Sequence, residues 1–304
     1  MHFISIKDWS QSELVNVVED SIDIKNHPEK YTSAMSGLSL ALLFQKTSTR
    51  TRCAGEVGMT QLGGHALFMD WRATNFALAD LSDEIRVLSS YVDLIMVRLL
   101  KHDDVRCAAT ASSVPVINGC CDRYHPTQAL ADLMTIQEQF GRTEGIKLTY
   151  VGVHNNVANS LIAIGMKVGM EVTVVAPEMN SSAIDNELFE AARQRGCYQV
   201  TDQLKAAVAT SDVVYTDTWV DMEYFLDPAF EAEKQKRMEQ MQPYQLNESL
   251  LEGTTARIMH CLPAHRGAEI SGELVDDERS IIFEQSENRL HCMKGLMLKL
   301  INQQ

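Results

Sequence analysis

From Lys46 to Arg52 the chain reads Lys-Thr-Ser-Thr-Arg-Thr-Arg, so four hydroxyls and two guanidiniums fall within the six residues from Thr47 onward. The preceding run, Leu38–Leu43, is short and apolar and reads as a buried strand. The following run, Cys53–Leu62, reads as a helix. A strand-to-helix junction offers free backbone N–H groups and the positive end of the helix dipole. Hydroxyl donors and arginine forks added there make an oxyanion cradle. An ordinary helix cap needs one hydroxyl and no arginine. Phosphate or a similar anion is therefore the expected ligand.

Other chemistry-bearing residues are spread along the chain. Arg98 ends the apolar run Leu94–Val97 and can serve as a second fork for the same anion. His125 precedes a proline-started helix, where a capping or core histidine fits as well as one that polarises a ligand. Gln128 lies three residues on and faces the same side, so the two together can hold a polar carbonyl or amide. Cys261 sits between His260 and Leu262. Adjacent residues of a strand point to opposite faces, so His260 is badly placed as a base for Cys261. A thiol that binds or polarises a substrate suits the position better. Asp217 and Asp221 either cap loops or receive an ammonium group. No His/Cys/Asp spacing fits a zinc site, so no metal is expected.

The elements that must position these residues alternate. Strands are expected at 38–43, 65–69, 94–97, 114–118, 147–152, 171–175, near 199, 213–216, 257–259 and 280–283. Helices are expected at 8–25, after 52, at 80–90, 103–112, 126–140, opening within 153–160, at 182–195, 202–210, 231–242 and 286–301. This is an α/β fold of two domains, each a parallel-sheet three-layer α/β/α sandwich. The polar, glycine-containing stretch Gly141–Gly145 suggests the crossover. Residues 1–141 form the first domain, with the last helix (about 286–304) packing back on it, and 142–285 form the second. His154-Asn155-Asn156 stands where a glycine-rich dinucleotide loop would stand, but G-x-G-x-x-G is absent. The polar clusters fall at the carboxyl ends of strands, where sheets of this kind carry their sites.

Bulk properties narrow the classes. The 304 residues suffice for two domains, and the net charge of −14 supplies no broad basic face for nucleic acid or an anionic membrane. The N-terminus lacks a basic-then-apolar leader, and no apolar run reaches a membrane span of about 18 residues. The seven cysteines are scattered without CxxC spacing, as expected of reduced thiols in a cytoplasmic protein.

In order, these residues resemble the aspartate/ornithine carbamoyltransferase family over nearly the whole chain. Ser48-Thr49-Arg50-Thr51-Arg52 matches the family's carbamoyl-phosphate signature, and Arg98 and His125-Pro126-Thr127-Gln128 match its other carbamoyl-phosphate elements. Lys46, Asn155–Ser160, His260-Cys261-Leu262-Pro263 and Glu287–His291 look like the ornithine branch. The resemblance implies an N-terminal carbamoyl-phosphate domain, a C-terminal amino-acid domain, and a homotrimer with active sites at subunit interfaces. It implies transfer of a carbamoyl group to an amine, ornithine first. The alternatives are a modified ornithine, lysine or putrescine as acceptor, or a non-catalytic anion-binding or regulatory paralogue. By residue match, Ser48, Thr49, Arg50, Thr51 and Arg98 would hold phosphate. Arg50, Thr51, His125 and Gln128 would polarise the carbonyl oxygen. Cys261, the Leu262 carbonyl and Arg289 would surround the carbamoyl group and attacking amine. Asn156, Asp217, Asp221 and Met222 would face the amino acid.

Two places depart from the family pattern. Asp221-Met222-Glu223 stands where ornithine enzymes usually carry Ser-Met-Gly, and acids there would repel a carboxylate and favour an ammonium. In the loop Asp70–Ala79, Thr74 stands where the family usually has a glutamine reaching the neighbouring subunit. Trp71 in that loop resembles a tryptophan that the acetylornithine branch contributes to its neighbour's site.

Overall fold

The computed structural model describes residues 1–220 and 228–302. They divide into two compact units, Met1–Met134 with Glu287–Gln304, and Thr135–Ser286. Each is built on a parallel sheet flanked by helices.

The first unit runs α1 (Gln11–Asn26), β1 (Ser39–Phe44), α2 (Thr49–Gln61), β2 (His65–Asp70), α3 (Leu81–Leu88), β3 (Leu94–Arg98), α4 (His102–Ala111), β4 (Val116–Cys120) and the start of α5 (Pro126–Phe140). Its strand order is β2-β1-β3-β4. Leu40–Leu43 of β1 and Leu94–Val97 of β3 are fully buried, which is why these strands read as continuous apolar runs and not as alternating ones. The order reverses between β1 and β3, whose last residues, Phe44 and Arg98, are in register. That reversal is the switch point at which an open α/β sheet leaves a crevice for ligands.

The second unit continues with β5 (Lys147–His154), α6 (Asn156–Val168), β6 (Glu171–Met179), α7 (Asn186–Gln194), β7 (Tyr198–Val200), α8 (Leu204–Ala209), β8 (Val213–Thr216), α9 (Glu231–Met241), β9 (Arg257–His260) and α10 (Gly272–Val275). The order β7-β6-β5-β8-β9 reverses between β5 and β8. Val151, Val214 and Ile258 from three neighbouring strands share one buried cluster with Leu246, Ile270 and Ile282.

The last helix, α11 (Ile282–Ile301), begins earlier than its sequence suggests. Residues 280–283 form no strand, and Ser280 makes a single bridge to Ile258. Ile281-Ile282 is buried because it opens a helix, and a three-residue apolar run cannot distinguish the two cases. Farther along, α11 packs tightly on α1: any side chain at Gly295 would collide with Ser21 and the Val17 carbonyl. Among the described residues no helix is long and apolar enough to cross a membrane.

Candidate functional site

In the first unit the chemistry collects at the β1/β3 switch point. Gln45 fixes the turn after β1: its N–H donates to the Arg98 carbonyl at 2.9 Å and its Oε1 accepts from Leu100 N–H at 2.8 Å. Ser48 is the N-cap of α2, and its Oγ accepts from the Thr51 N–H at 3.2 Å. The helix thus starts at Thr49, earlier than the residue pattern suggests, because one hydroxyl at the right offset outweighs the weak helix preference of Thr and Ser. Thr49, Arg50 and Thr51 consequently occupy its first turn, at the positive end of the dipole. Arg52 is the exception within the signature. It points away, donating to Glu56 at 3.1 Å with its guanidinium 3.6 Å over the Phe68 ring.

Arg289 of α11 is the organiser. It is 3% exposed, and it donates to Gln128 Oε1 at 2.5 Å and to Thr51 Oγ1 at 3.0 Å. Gln128 in turn donates through Nε2 to buried Asp132 at 2.9 Å, so a chain of four side chains holds both Gln128 and Thr51 in place. Burial, then the nearby guanidiniums of Arg50 and Arg98, lower the Arg289 pKa to about 10. His125 is buried at the start of α5, with Nδ1 3.4 Å from Thr127 Oγ1. Burial first, and then Arg289, Arg98 and Arg50, hold its pKa well below the usual histidine value, so the imidazole is neutral. The Nε–H groups of Arg98 and Arg289 are buried without an acceptor among the described residues. Three guanidiniums, two unsatisfied donors and a neutral imidazole thus converge where a helix begins. The chemistry this suits is the binding of an oxyanion and the polarisation of a carbonyl beside it.

In the second unit a different cluster forms at the β5/β8 switch point. Asn155 caps α6, its Oδ1 accepting from Val157 and Ala158 N–H at 2.9 and 3.2 Å. Its Nδ2 donates to Asp217 Oδ2 at 2.6 Å. Asp217 Oδ1 accepts from Thr218 N–H at 2.7 Å and from the Cys261 thiol at 2.8 Å. The carboxylate of Asp217 is 6% exposed and oriented on both oxygens. Cys261 follows β9, and Leu262 after it takes a left-handed φ of 58°. Asn156 is the first residue of α6. His154 is structural: it is buried, Nε2 meets Asn159 Oδ1 at 2.8 Å, and burial lowers its pKa.

His260 is fully committed elsewhere. Its Nδ1 accepts from Leu262 N–H at 2.8 Å, which leaves Nε2–H to donate to Glu269 Oε1 at 3.1 Å. It therefore cannot serve Cys261 as a base. Glu269, 1% exposed, also accepts from the His265 N–H at 2.6 Å. Burial alone would raise its pKa, but the bonds from His260 and His265 outweigh it and hold the carboxyl at about 2. Asp217, His260 and Cys261 have ligand atoms within 4.8 Å of one another, which is metal-ligand spacing. For His260 to ligate, it would have to give up the Leu262 or the Glu269 bond.

Of the residues singled out from sequence, the first unit brings together Ser48, Thr49, Arg50, Thr51, Arg98, His125, Gln128 and Arg289. The second brings together Asp217, Cys261 and Leu262, with Asn156 at the adjacent helix start. Trp71 opens a short helical turn and Thr74, in extended backbone, joins it to the next, with Thr74 Oγ1 donating to the Trp71 carbonyl at 2.9 Å and the Trp71 ring 5.6 Å from that of Phe76. Asp221 and Met222 lie outside the described residues. Sequence reasoning missed Asp132 and Glu269, and it gave Asn155 no role of its own. Asp132 stands four residues after Gln128 on one helical face, and Asn155 is a cap residue at a strand end, so both carried a local signal. Glu269 carried none.

Comparisons with known proteins agree with this geometry. Residues 1–138 match the family model described as aspartate/ornithine carbamoyltransferase, carbamoyl-P binding domain, and residues 144–300 match its Asp/Orn binding domain. The ornithine carbamoyltransferase of Haloquadratum walsbyi is 40% identical, covering 99% of this chain and 98% of its own. That of Bacillus cereus is 41% identical, covering 98% and 93%. Among solved structures, ornithine carbamoyltransferase from Pyrococcus furiosus superposes with a TM-score of 0.91 at 37% identity, covering 99% of this chain and 97% of the other. A mutant N-acetyl-L-ornithine transcarbamylase, complexed with carbamyl phosphate and N-succinyl-L-norvaline, gives 0.85 at 32% identity, covering 99% of each chain.

Proposed function

The chain belongs to the aspartate/ornithine carbamoyltransferase family, and from that premise we propose that it moves the carbamoyl group of carbamoyl phosphate to ornithine, giving citrulline and phosphate. The observation that carries the reading is the first unit's cluster: Arg50, Arg98 and Arg289 around a buried neutral His125, with two arginine N–H groups lacking a protein acceptor among the described residues.

The phosphate group sits at the start of α2 against Ser48, Thr49, Arg50 and Thr51, with Arg98 as the second fork. The carbamoyl oxygen faces Arg50, Thr51, His125 and Gln128. Charge develops on that oxygen as the neutral side-chain amine of ornithine attacks the carbamoyl carbon. Preorganised donors stabilise the charge more in the tetrahedral state than in the ground state. The carbon–oxygen bond to phosphate then breaks, and the departing phosphate takes up the amine proton. Arg289 ties Gln128 to Thr51 and so fixes two of the four groups. Asp217, held by Asn155 and Cys261, receives the α-amine, and Asn156 receives the α-carboxylate. Asp221 and Met222 belong with them. Cys261 and the Leu262 carbonyl bound the attacking amine. No cofactor is needed, because the substrate brings its own activated leaving group. The reading includes a homotrimer in the cytoplasm with active sites at subunit interfaces, to which the Trp71 and Thr74 loop contributes.

The test is phosphate and citrulline release by purified protein given carbamoyl phosphate with ornithine, N-acetylornithine, lysine or putrescine. Release with ornithine is expected, and Arg50→Ala should lower it by about a hundredfold or more. No release with any amine overturns the enzymatic reading. Release with another amine but not ornithine overturns the choice of acceptor. Light scattering should give three times the chain mass, and a monomer would overturn the trimer.

A further inference from the structure

A second basic pocket lies in the first unit, apart from the cluster around His125. Its cavity has a volume of about 560 Å³, in the range of small-molecule sites, and opens between the end of α1, the end of α2 and the middle of α11. From α11 it receives Glu287, Leu290, His291 and Lys294. These stand at i, i+3, i+4 and i+7, one continuous helical stripe. Arg289 falls off that stripe, so the face that meets Thr51 and Gln128 is not the face that lines this cavity.

The central charge of the cavity is not balanced by the protein. Lys294 is only 3% exposed, yet its ammonium donates to a neutral group, Gln61 Oε1, at 3.0 Å. It has no carboxylate partner among the described residues. His291 Nδ1 is buried with no hydrogen-bond partner among the described residues, while Nε2 lies 3.6 Å from Glu287, a carboxylate that is itself 58% exposed. Lys25 adds a second ammonium to the wall, 2.9 Å from Asn288 Oδ1. Burial lowers the Lys294 pKa, and burial followed by Lys294 and Lys25 lowers that of His291. A buried ammonium without a counter-ion is costly, and the usual remedy is a partner of opposite charge. Ile24, Pro28, Leu62 and Leu290 supply the apolar part of the wall, and Tyr31, Thr32 and Gln61 add neutral polar groups.

We propose that this cavity is a second anion site, taking a small molecule that presents a carboxylate or phosphate to Lys25, His291 and Lys294 and lays a short apolar body on Leu290. Two of the three flanking helices also carry residues of the first cluster, Thr51 on α2 and Arg289 on α11.

Equilibrium dialysis of the whole protein against radiolabelled inorganic phosphate, and separately against labelled succinate, tests the site. Wild type should bind one equivalent more of at least one of these anions than Lys294→Met does, or bind it about tenfold to a hundredfold more tightly. His291→Asn should show the same loss. A deficit seen only with phosphate assigns the ligand as a phosphate, and one seen only with succinate assigns it as a carboxylate. In anion-free buffer Lys294→Met should melt no lower than wild type, since an apolar residue of similar length replaces an uncompensated charge. Equal binding of both anions by wild type and both variants overturns the site. A lower melting temperature for Lys294→Met in anion-free buffer also overturns it, because the ammonium would then be a structural donor to Gln61.

Discussion

His125 offers a perturbation whose size follows from its surroundings. The imidazole is buried beside Arg289, Arg98 and Arg50, and its pKa lies well below the ordinary 6.5. Above that ordinary value the side chain is neutral in both the folded and unfolded chains and contributes no pH dependence. As the pH falls below it, the unfolded chain takes up a proton there and the folded chain does not. Folding is then penalised by about 1.4 kcal/mol per pH unit until the depressed native pKa is reached. Through the window between the ordinary value and the depressed native one, this single residue steadily lowers stability as the pH falls. His2, His102, His154 and His291 are also shifted down, mainly by burial, so the wild-type curve should be steeper still. The comparison with His125→Gln isolates one residue's share. Urea unfolding of both proteins below about pH 6.5, in phosphate-free buffer, should show the variant gaining on wild type by up to about 1.4 kcal/mol per pH unit as the pH drops. Saturating phosphate should narrow the gap, because an anion among the guanidiniums offsets the charges that repel the proton. Parallel stability curves would refute the reasoning: the imidazole would then protonate in the fold as it does in water, and the three guanidiniums would not converge on it.

Replacing Asn155 by alanine removes a helix cap and the amide that holds Asp217. Urea unfolding should show a loss of about 1–2 kcal/mol, and the KM for ornithine should rise; an unchanged KM would separate the cap from substrate binding. Glu269 titrates at about 2 in the fold against an ordinary 4.5. It therefore contributes stability, on the order of 3 kcal/mol, that is fully present above pH 4.5 and lost as the pH falls towards its native value. Glu269→Gln should flatten acid unfolding in that window, and an unaltered acid limb would count against the His260–Glu269 pair. Cys261→Ser keeps a donor for Asp217 and should retain more turnover than Cys261→Ala. Equal loss in both would mean that the sulfur acts other than through that bond.

The strand-to-helix turn at Ser48 is legible because its meaning is local. The hydroxyls, the arginines and the apolar run before them sit close together in the chain. The two parallel sheets are legible for the same reason, since each buried strand reads as a short apolar run. The start of α11 is not, because Ile281-Ile282-Phe283 is too short a run to carry a period, and only the three-dimensional contacts of that segment decide between strand and helix. Asp221 and Met222 remain readings of sequence alone. Arg52 belongs to the motif by spelling and not by geometry. A helix turns about 100° per residue, so of two arginines two positions apart only one can face the crevice, and Glu56 and Phe68 hold Arg52 on the other side.

The residues hardest to foresee are those that hold the chemistry in place. Gln128 reads as a ligand group, but its orientation is set by Asp132 on its own helix and by Arg289, which is 161 positions away in sequence. Asp217 likewise reads as an ammonium receptor. Both its oxygens are fixed, by Asn155, 62 positions before it, and by Cys261, 44 positions after it. Such couplings leave no spacing to read, because each end is chosen only for what it meets in three dimensions. They also bear on the charge gathered around His125. An arginine drawn down to about 10 is expensive to bury. The fold tolerates three guanidiniums together because a β-sheet switch point and a helix start hold the surrounding donors at fixed positions. On the proposed reading, what destabilises the unliganded unit is the same charge that an incoming phosphate would neutralise, so binding the anion and relieving the repulsion would be one event.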